Sequence, residues 1–164
     1  MNGSRAAGWR AYLKLRGPLP EGAEAVLARL GAGPQTLCHN DLHPANLVGA
    51  DATVAIDWAY CGLGALGLDA GVLVADAFAD GFIEAVRAEQ LAHAVWEGYR
   101  AGLGGAQEDE ARYAFLAGTA LRYSWIARGL ADPDLDPDKR RRWVPVTAML
   151  DRWAEEAARL PSPA

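Results

Sequence analysis

Lysine is almost missing from this chain: Lys14 and Lys139 are the only two in 164 residues. The formal net charge is −5, with acidic residues spread along the chain, so no basic patch is available to neutralise a phosphate backbone. Nucleic acid is therefore not expected as a partner. Cysteine is scarce as well. Cys38 and Cys61 stand alone, match no C-x-x-C spacing and cannot staple a disulfide framework across a domain of this length, which points to a reducing, cytoplasmic location. No run approaches the roughly 20 apolar residues of a membrane span, and residues 1–8 lack the apolar core of a secretory signal, so neither a membrane nor export is expected. What remains is 51% apolar and 23% charged, ordinary values for a folded globular protein, and the length suits one compact domain over residues 1–164.

Residues 9–16 form a short amphipathic stretch that Gly17-Pro18 and Pro20 terminate. Apolar Ala25, Val26, Leu27 and Leu30 predict a helix over residues 21–30, stopped by Gly31 and Gly33-Pro34. A short apolar run over 35–38 leads into a polar, proline-bounded loop over 39–46. Two strands, 47–48 and 53–56, are then expected around a hairpin turn at Gly49-Ala50-Asp51-Ala52. Beyond a glycine-rich stretch over 62–67, helices are predicted over 69–78, 83–103, 108–130 and 138–160, with Asp136 or Asp138 capping the last.

The most specific signal is His39-Asn40-Asp41-Leu42-His43-Pro44-Ala45-Asn46, which fits the kinase catalytic-loop pattern H-x-D-L-x-x-x-N at every fixed position. Phosphoryl transfer needs an acceptor hydroxyl aligned and relieved of its proton, and a cation to offset phosphate charge. Asp41 suits the first task as base. Asn46, five positions on, offers a neutral oxygen to a hard cation. Asp57, at the end of the strand Val54-Ala55-Ile56, supplies the second metal ligand from the position of the D-F-G aspartate.

The Asp57-Trp58 pair after an apolar strand resembles the aminoglycoside phosphotransferases and their choline-kinase-like relatives more than protein kinases. The resemblance extends over residues 35–74, where Gly62, Gly64, Gly67 and Asp69 follow the pair. It implies an α+β, mainly helical, protein-kinase-like carboxy-terminal lobe, with a small β-hairpin carrying the catalytic and metal-binding loops. It implies Mg2+ and ATP as cofactors and a small-molecule hydroxyl as acceptor. It also implies that Asp69 braces the catalytic loop and that His39 supports the loop backbone rather than binding metal. Asn40 stands where that family more often has glycine.

Two expected parts of a kinase are not evident: a glycine-rich loop over the phosphates and a strand lysine. The 38 residues before His39 read as helical, and neither lysine lies in a V-A-I-K strand. The nucleotide-binding lobe is thus expected to be absent. Two readings follow, an ATP-dependent phosphotransferase and a catalytically incomplete lobe serving as a binding module or a fragment of a larger kinase. The uncovered face is expected to self-associate or to meet a partner. Gly62 to Gly67 also fits G-x-G-x-x-G, but Trp58 to Cys61 separate it from the strand, against a dinucleotide fingerprint, and it reads as a flexible loop. His43 faces either substrate or solvent, and His93 lies on a helix without a ligand partner. Most aromatic residues of the later helices, Trp96, Tyr99, Tyr113, Phe115, Tyr123 and Trp125, read as core, and the resemblance implies that some of them line the acceptor pocket. Asp76, Asp80 and Glu84 read as a solvated helix face, with attraction of a cationic acceptor as the alternative.

Overall fold

The computed structural model describes residues 19–49, 51–105 and 107–161; the amphipathic stretch expected over 9–16 lies outside them. In chain order the elements are α1 (Ala23–Ala32), β1 (Gln35–Cys38), a 3-10 turn (Pro44–Asn46), β2 (Leu47–Val48), β3 (Val54–Ala55), a 3-10 turn (Trp58–Tyr60) and β4 (Gly62–Ala65). There follow α2 (Leu68–Ala79), a 3-10 turn (Ala85–Arg87), α3 (Ala88–Leu103), α4 (Glu108–Tyr113), a π-helical turn (Ala114–Gly118), α5 (Thr119–Arg122), α6 (Ser124–Leu130) and α7 (Pro137–Ala157). The architecture is mainly helical, with two antiparallel two-stranded ladders, β1–β4 and β2–β3. No helix among the described residues is long and apolar enough to cross a membrane.

The glycine-rich stretch corrects the sequence reading. Gly62–Ala65 is not a flexible loop but a strand, paired with β1 from Gln35 opposite Ala65 to Cys38 opposite Gly62. Ladder hydrogen bonds come from the main chain, so small residues suffice where a partner strand is close. The hairpin forms where expected, with Leu47 opposite Ala55 and Val48 opposite Val54. Gly49 is required at its turn, because with φ at 125° an added Cβ would lie 2.0 Å from the Ala52 carbonyl oxygen.

The continuous helix expected over 108–130 is also corrected: it is divided into α4, the π turn, α5 and α6. The cause lies across the fold, in α2. A Cβ on Gly71 would stand 2.3 Å from both the Phe115 carbonyl oxygen and Thr119 Oγ1, so α2 meets the π turn at main-chain distance. Phe115 and Leu116 of that turn are fully buried. Phe115 packs between Trp96 and Trp153, with ring centroids 5.6 and 5.1 Å away. Full burial of side chains this size contributes about 1.5–3 kcal/mol each, which holds the wider turn in place. The last helix begins at Pro137, one residue before the expected start, with Asp136 as the cap that accepts the Lys139 N–H at 2.9 Å.

Helix α2 positions the site. Its N-cap, Gly67, has φ 95°, and an added Cβ would lie 2.2 Å from the Ala111 carbonyl oxygen. The Gly67 N–H donates to the Tyr99 hydroxyl at 2.9 Å. With its start fixed in this way, α2 carries Asp69 in its first turn. Asp76, seven residues on, falls on the same side two turns later.

Candidate active site

Strand β1 delivers the chain into the His39–Asn46 loop, and Asp69 receives it. The Asp69 carboxylate accepts the main-chain N–H of His39 at 2.5 Å and of Asn40 at 3.1 Å. Asn40 has φ 66°, a left-handed conformation open to glycine and, among other residues, most readily to asparagine and aspartate. Its side-chain amide donates to the Tyr60 carbonyl at 2.9 Å, and its own carbonyl accepts from the Arg122 guanidinium at 3.4 and 3.5 Å. The peptide before Asp41 is therefore gripped from the N–H, carbonyl and side-chain directions.

Asn46 is buried and its Nδ2 donates to the Asp41 carbonyl at 3.0 Å, which closes the loop on itself. Its main chain reaches the hairpin: the Asn46 carbonyl accepts the Ile56 N–H at 2.9 Å. The Ile56 carbonyl lies 2.7 Å from His39 Nε2. A carbonyl only accepts, so Nε2 is the donor in this contact, and the buried Nδ1 has no hydrogen-bond partner among the described residues. The His39 ring also packs on Trp58, centroids 4.7 Å apart. Ile56 is thus held on both sides by the catalytic loop. Asp57 comes directly after it, exposed and at φ 59°. Of the three non-glycine residues with positive φ among the described residues, Asn40 and Asp57 flank this site and Gln107 lies elsewhere. Such conformations cost of order 1–3 kcal/mol each and concentrate at functional positions.

Beside Asp41 opens a cavity of about 240 Å³ lined by Asp41, His43, Asp76, Asp80, Arg122, Tyr123 and Trp125. His43 Nε2 is 3.9 Å from the Asp41 carboxylate. Burial pushes the Asp76 carboxyl above the ordinary aspartate range, while a hydrogen bond from Tyr123 and the Arg122 charge pull it down. Burial, with the Asp76 charge behind it, drives the Tyr123 phenol far above its usual value, so Tyr123 remains a donor. Asp76 is therefore not on a solvated helix face; Asp80 is exposed at the cavity rim, and Glu84 does not line it. A larger, mainly apolar groove of about 570 Å³ shares Tyr123 with this cavity but contains none of the motif residues.

Among the described residues no cluster of three or more His, Cys, Asp and Glu side chains forms a ready-made metal cage. Magnesium does not need one, because it is usually held by one or two protein oxygens together with water and substrate phosphates. The donor set at this site suits that habit. Asn46 Nδ2 is committed to Asp41, which leaves Oδ1 as the oxygen available to a cation, and the Asp57 carboxylate is exposed.

A model of the phosphotransferase enzyme family matches residues 2–116, well over half of the chain. This chain belongs to that family. The membership agrees with the resemblance to aminoglycoside phosphotransferases and choline-kinase-like proteins. No curated protein and no solved structure matches it significantly. The family match covers the catalytic loop, the hairpin, β4 and α2, and ends inside the π turn of this phosphotransferase-family chain. Arg122, Tyr123 and Trp125, which complete the cavity beside Asp41, lie beyond it.

Arg122 is the residue that motif reading passes over. Its sequence signal was a single charge in the run Leu116-Ala117-Gly118-Thr119-Ala120-Leu121-Arg122, where every neighbour is apolar or small. Of the aromatic residues expected to pack or to line a pocket, Tyr123 does both: it is buried and it walls the cavity.

Proposed function

We propose that the protein transfers the γ-phosphate of ATP to a hydroxyl of a small molecule. In this reading Asp41 accepts the hydroxyl proton, while His39 and Asp69 hold the loop that aims it. Asn46 Oδ1 and the Asp57 carboxylate would hold Mg2+, which when bound offsets charge on the nucleotide phosphates. The bond that forms joins the acceptor oxygen to the γ-phosphorus; the bond that breaks joins that phosphorus to the β–γ bridging oxygen, leaving ADP. The observation that carries the reading is the linkage through Asn46. Its side chain bonds to the Asp41 carbonyl and its main chain to Ile56, so Asn46 ties Asp41 to the residue that directly precedes Asp57.

The test is a phosphorylation assay of the chain, with Mg-ATP and a panel of hydroxyl acceptors, against Asp41→Asn. Loss of about 10²–10⁴-fold in turnover is expected for removal of a positioned base. Equal turnover by both proteins would remove Asp41 from the role.

A second reading, a lobe that binds without chemistry, is favoured by one feature: residues 30–86 contain seven acidic side chains and no lysine or arginine. That segment offers no cation to the nucleotide phosphates. Calorimetry with Mg-ATP separates the two readings, because micromolar binding that disappears in Asp57→Ala contradicts a nucleotide-free module.

A further inference from the structure

The β1–β4 ladder runs from Gln35 opposite Ala65 to Cys38 opposite Gly62, and continued in the same register it would set Asn40 opposite Tyr60. Hydrogen-bonded pairs recur at every second residue of an antiparallel ladder. The Leu66 N–H donates to the Pro34 carbonyl at 3.1 Å, so the bonded positions on this strand are Pro34, Thr36, Cys38 and then Asn40. The rung due there is an Asn40 N–H on the Tyr60 carbonyl. The main chain cannot make it. Asn40 has φ 66°, far from the roughly −140° of an antiparallel strand; its N–H donates to Asp69 and its carbonyl faces Arg122. The side chain fills the place instead, with Nδ2 donating to the Tyr60 carbonyl at 2.9 Å. A side-chain amide N–H thus stands in for the peptide N–H of a strand residue.

This rung grips the turn that begins at Asp57. Asp57 is the N-cap of the turn Trp58–Tyr60, which the Cys61 N–H closes on the Trp58 carbonyl at 3.1 Å and Trp58 Nε1 ties to the Ala55 carbonyl at 2.9 Å. At the start of the turn, Ile56 is held by Asn46 and His39. At its end, Tyr60 is held by Asn40. Asp57 lies between the two grips with φ 59°, a conformation that persists where the surrounding structure over-determines it. The acceptor half of the Asn40 amide has no such use: Oδ1 is buried without a hydrogen-bond partner among the described residues. Glycine would adopt the same left-handed conformation without that cost. What the side chain contributes is therefore its donor.

We infer that Asn40 is a positioning residue: its side-chain amide supplies the rung that the left-handed main chain cannot, and so fixes the turn carrying Asp57 against the loop carrying Asp41. The use of Asp57 as a metal ligand rests on the phosphotransfer reading; the rung does not. Asn40 directly precedes Asp41, so a change at this one side chain alters how the two carboxylates are held relative to each other while leaving both in place.

The experiment compares the 164-residue chain with Asn40→Gly and Asn40→Asp by amide hydrogen exchange and by the Mg2+ concentration needed for half-maximal turnover of ATP with the acceptor panel. Glycine keeps the conformation and deletes the donor; aspartate keeps the shape but sets an acceptor against the Tyr60 carbonyl. Exchange of the Cys61 N–H is expected to quicken about three- to tenfold in both variants, the size of one neutral hydrogen bond, with the amides of α7 unchanged. The Mg2+ requirement should rise by a similar factor, which a loss of folded protein alone would not produce. If one variant does not fold, the other decides. Cys61 exchange that is unchanged, or that quickens no more than exchange in α7, overturns the inference, as does an aspartate variant that behaves like the unmodified chain. Asp57→Ala separates the two readings. Should it raise the Mg2+ requirement while the Asn40 variants do not, the positioning role fails and the phosphotransfer reading stands. Should Asp57→Ala leave the requirement unchanged, or the unmodified chain show no turnover, the metal assignment or the reading fails and Cys61 exchange alone decides the role of Asn40.

Discussion

Asp69 holds His39 across 30 residues of sequence, its carboxylate accepting the His39 main-chain N–H at 2.5 Å while its other oxygen takes the Asn40 N–H at 3.1 Å. One side chain at the start of α2 thereby fixes the entry to the loop that carries Asp41. Asp69→Asn keeps the shape but turns one acceptor into a donor that faces an N–H. Hydrogen bonds to charged groups are worth about 1.5–3 kcal/mol, and a loss of that order is expected in urea unfolding. An unchanged midpoint would show that the loop does not depend on this carboxylate.

Asn46 supplies the second closure of the loop. Asn46→Ala leaves the part-buried Asp41 carbonyl without its amide donor, at a cost of about 1–3 kcal/mol, and also removes the oxygen assigned to magnesium. The phosphotransfer reading expects turnover to fall and the Mg2+ requirement to rise. Asn46→Asp separates the two effects: it restores an oxygen ligand but not the donor. A fully active Asn46→Ala protein would discard the assignment.

The close approach of α2 to the π turn makes Gly71 intolerant of any side chain. Gly71→Ala is expected to destabilise by about 1–3 kcal/mol or more, as overpacked cores do, because the two atoms 2.3 Å from its Cβ position, the Phe115 carbonyl oxygen of the π turn and Thr119 Oγ1 at the start of α5, belong to buried residues. Gly98, on α3 with nothing within 4 Å, is the control. Gly98→Ala should be neutral or stabilising by about 0.4–1 kcal/mol. Thermal unfolding of the two variants compares them directly.

Asp76 carries a pH signature. Its folded carboxyl titrates above the ordinary 3.8, chiefly through burial. A group raised on folding contributes stability that is complete below the unfolded value and is lost as pH climbs through the folded one. Asp76→Asn should therefore raise the unfolding temperature at neutral pH relative to the unmodified chain, and the gain should vanish as pH falls below about 3.8. A difference independent of pH would show that burial of this carboxylate carries no net cost.

The two ladders turn apolar side chains to solvent in facing pairs. Leu37 and Leu63 are 65% and 77% exposed and directly opposite each other, and Val48 faces Val54 in the same way. Exposed Trp58 and Tyr60 lie in the turn between the ladders. Exposed apolar side chains paired in this way suit an interaction surface, so sedimentation velocity is expected to show concentration-dependent self-association that Leu37→Lys with Leu63→Lys removes. A monodisperse monomer at the highest attainable concentration would count against it.

The catalytic loop, the hairpin and most helix positions were legible because their signals are local: a fixed spacing from His39 to Asn46, an alternation at 47–56, a 3.6-residue repeat and proline stops. The glycines of 62–67 were misread for the complementary reason. Composition reports flexibility, whereas the partner strand β1, distant in sequence, supplied the main-chain bonds that made Gly62–Ala65 regular. The single helix expected over 108–130 failed similarly, since periodicity does not register a glycine on another helix pressing against the backbone.

By itself the sequence determined which oxygen-bearing side chains share one loop, because covalent spacing sets that directly. Tertiary structure alone decided that Arg122, 82 residues from Asn40, stands beside that loop, and that Asp76 leaves the solvated face for the cavity. Both depend on how helices pack, and packing is settled by the shapes of surfaces distant in the chain rather than by any local run of residues.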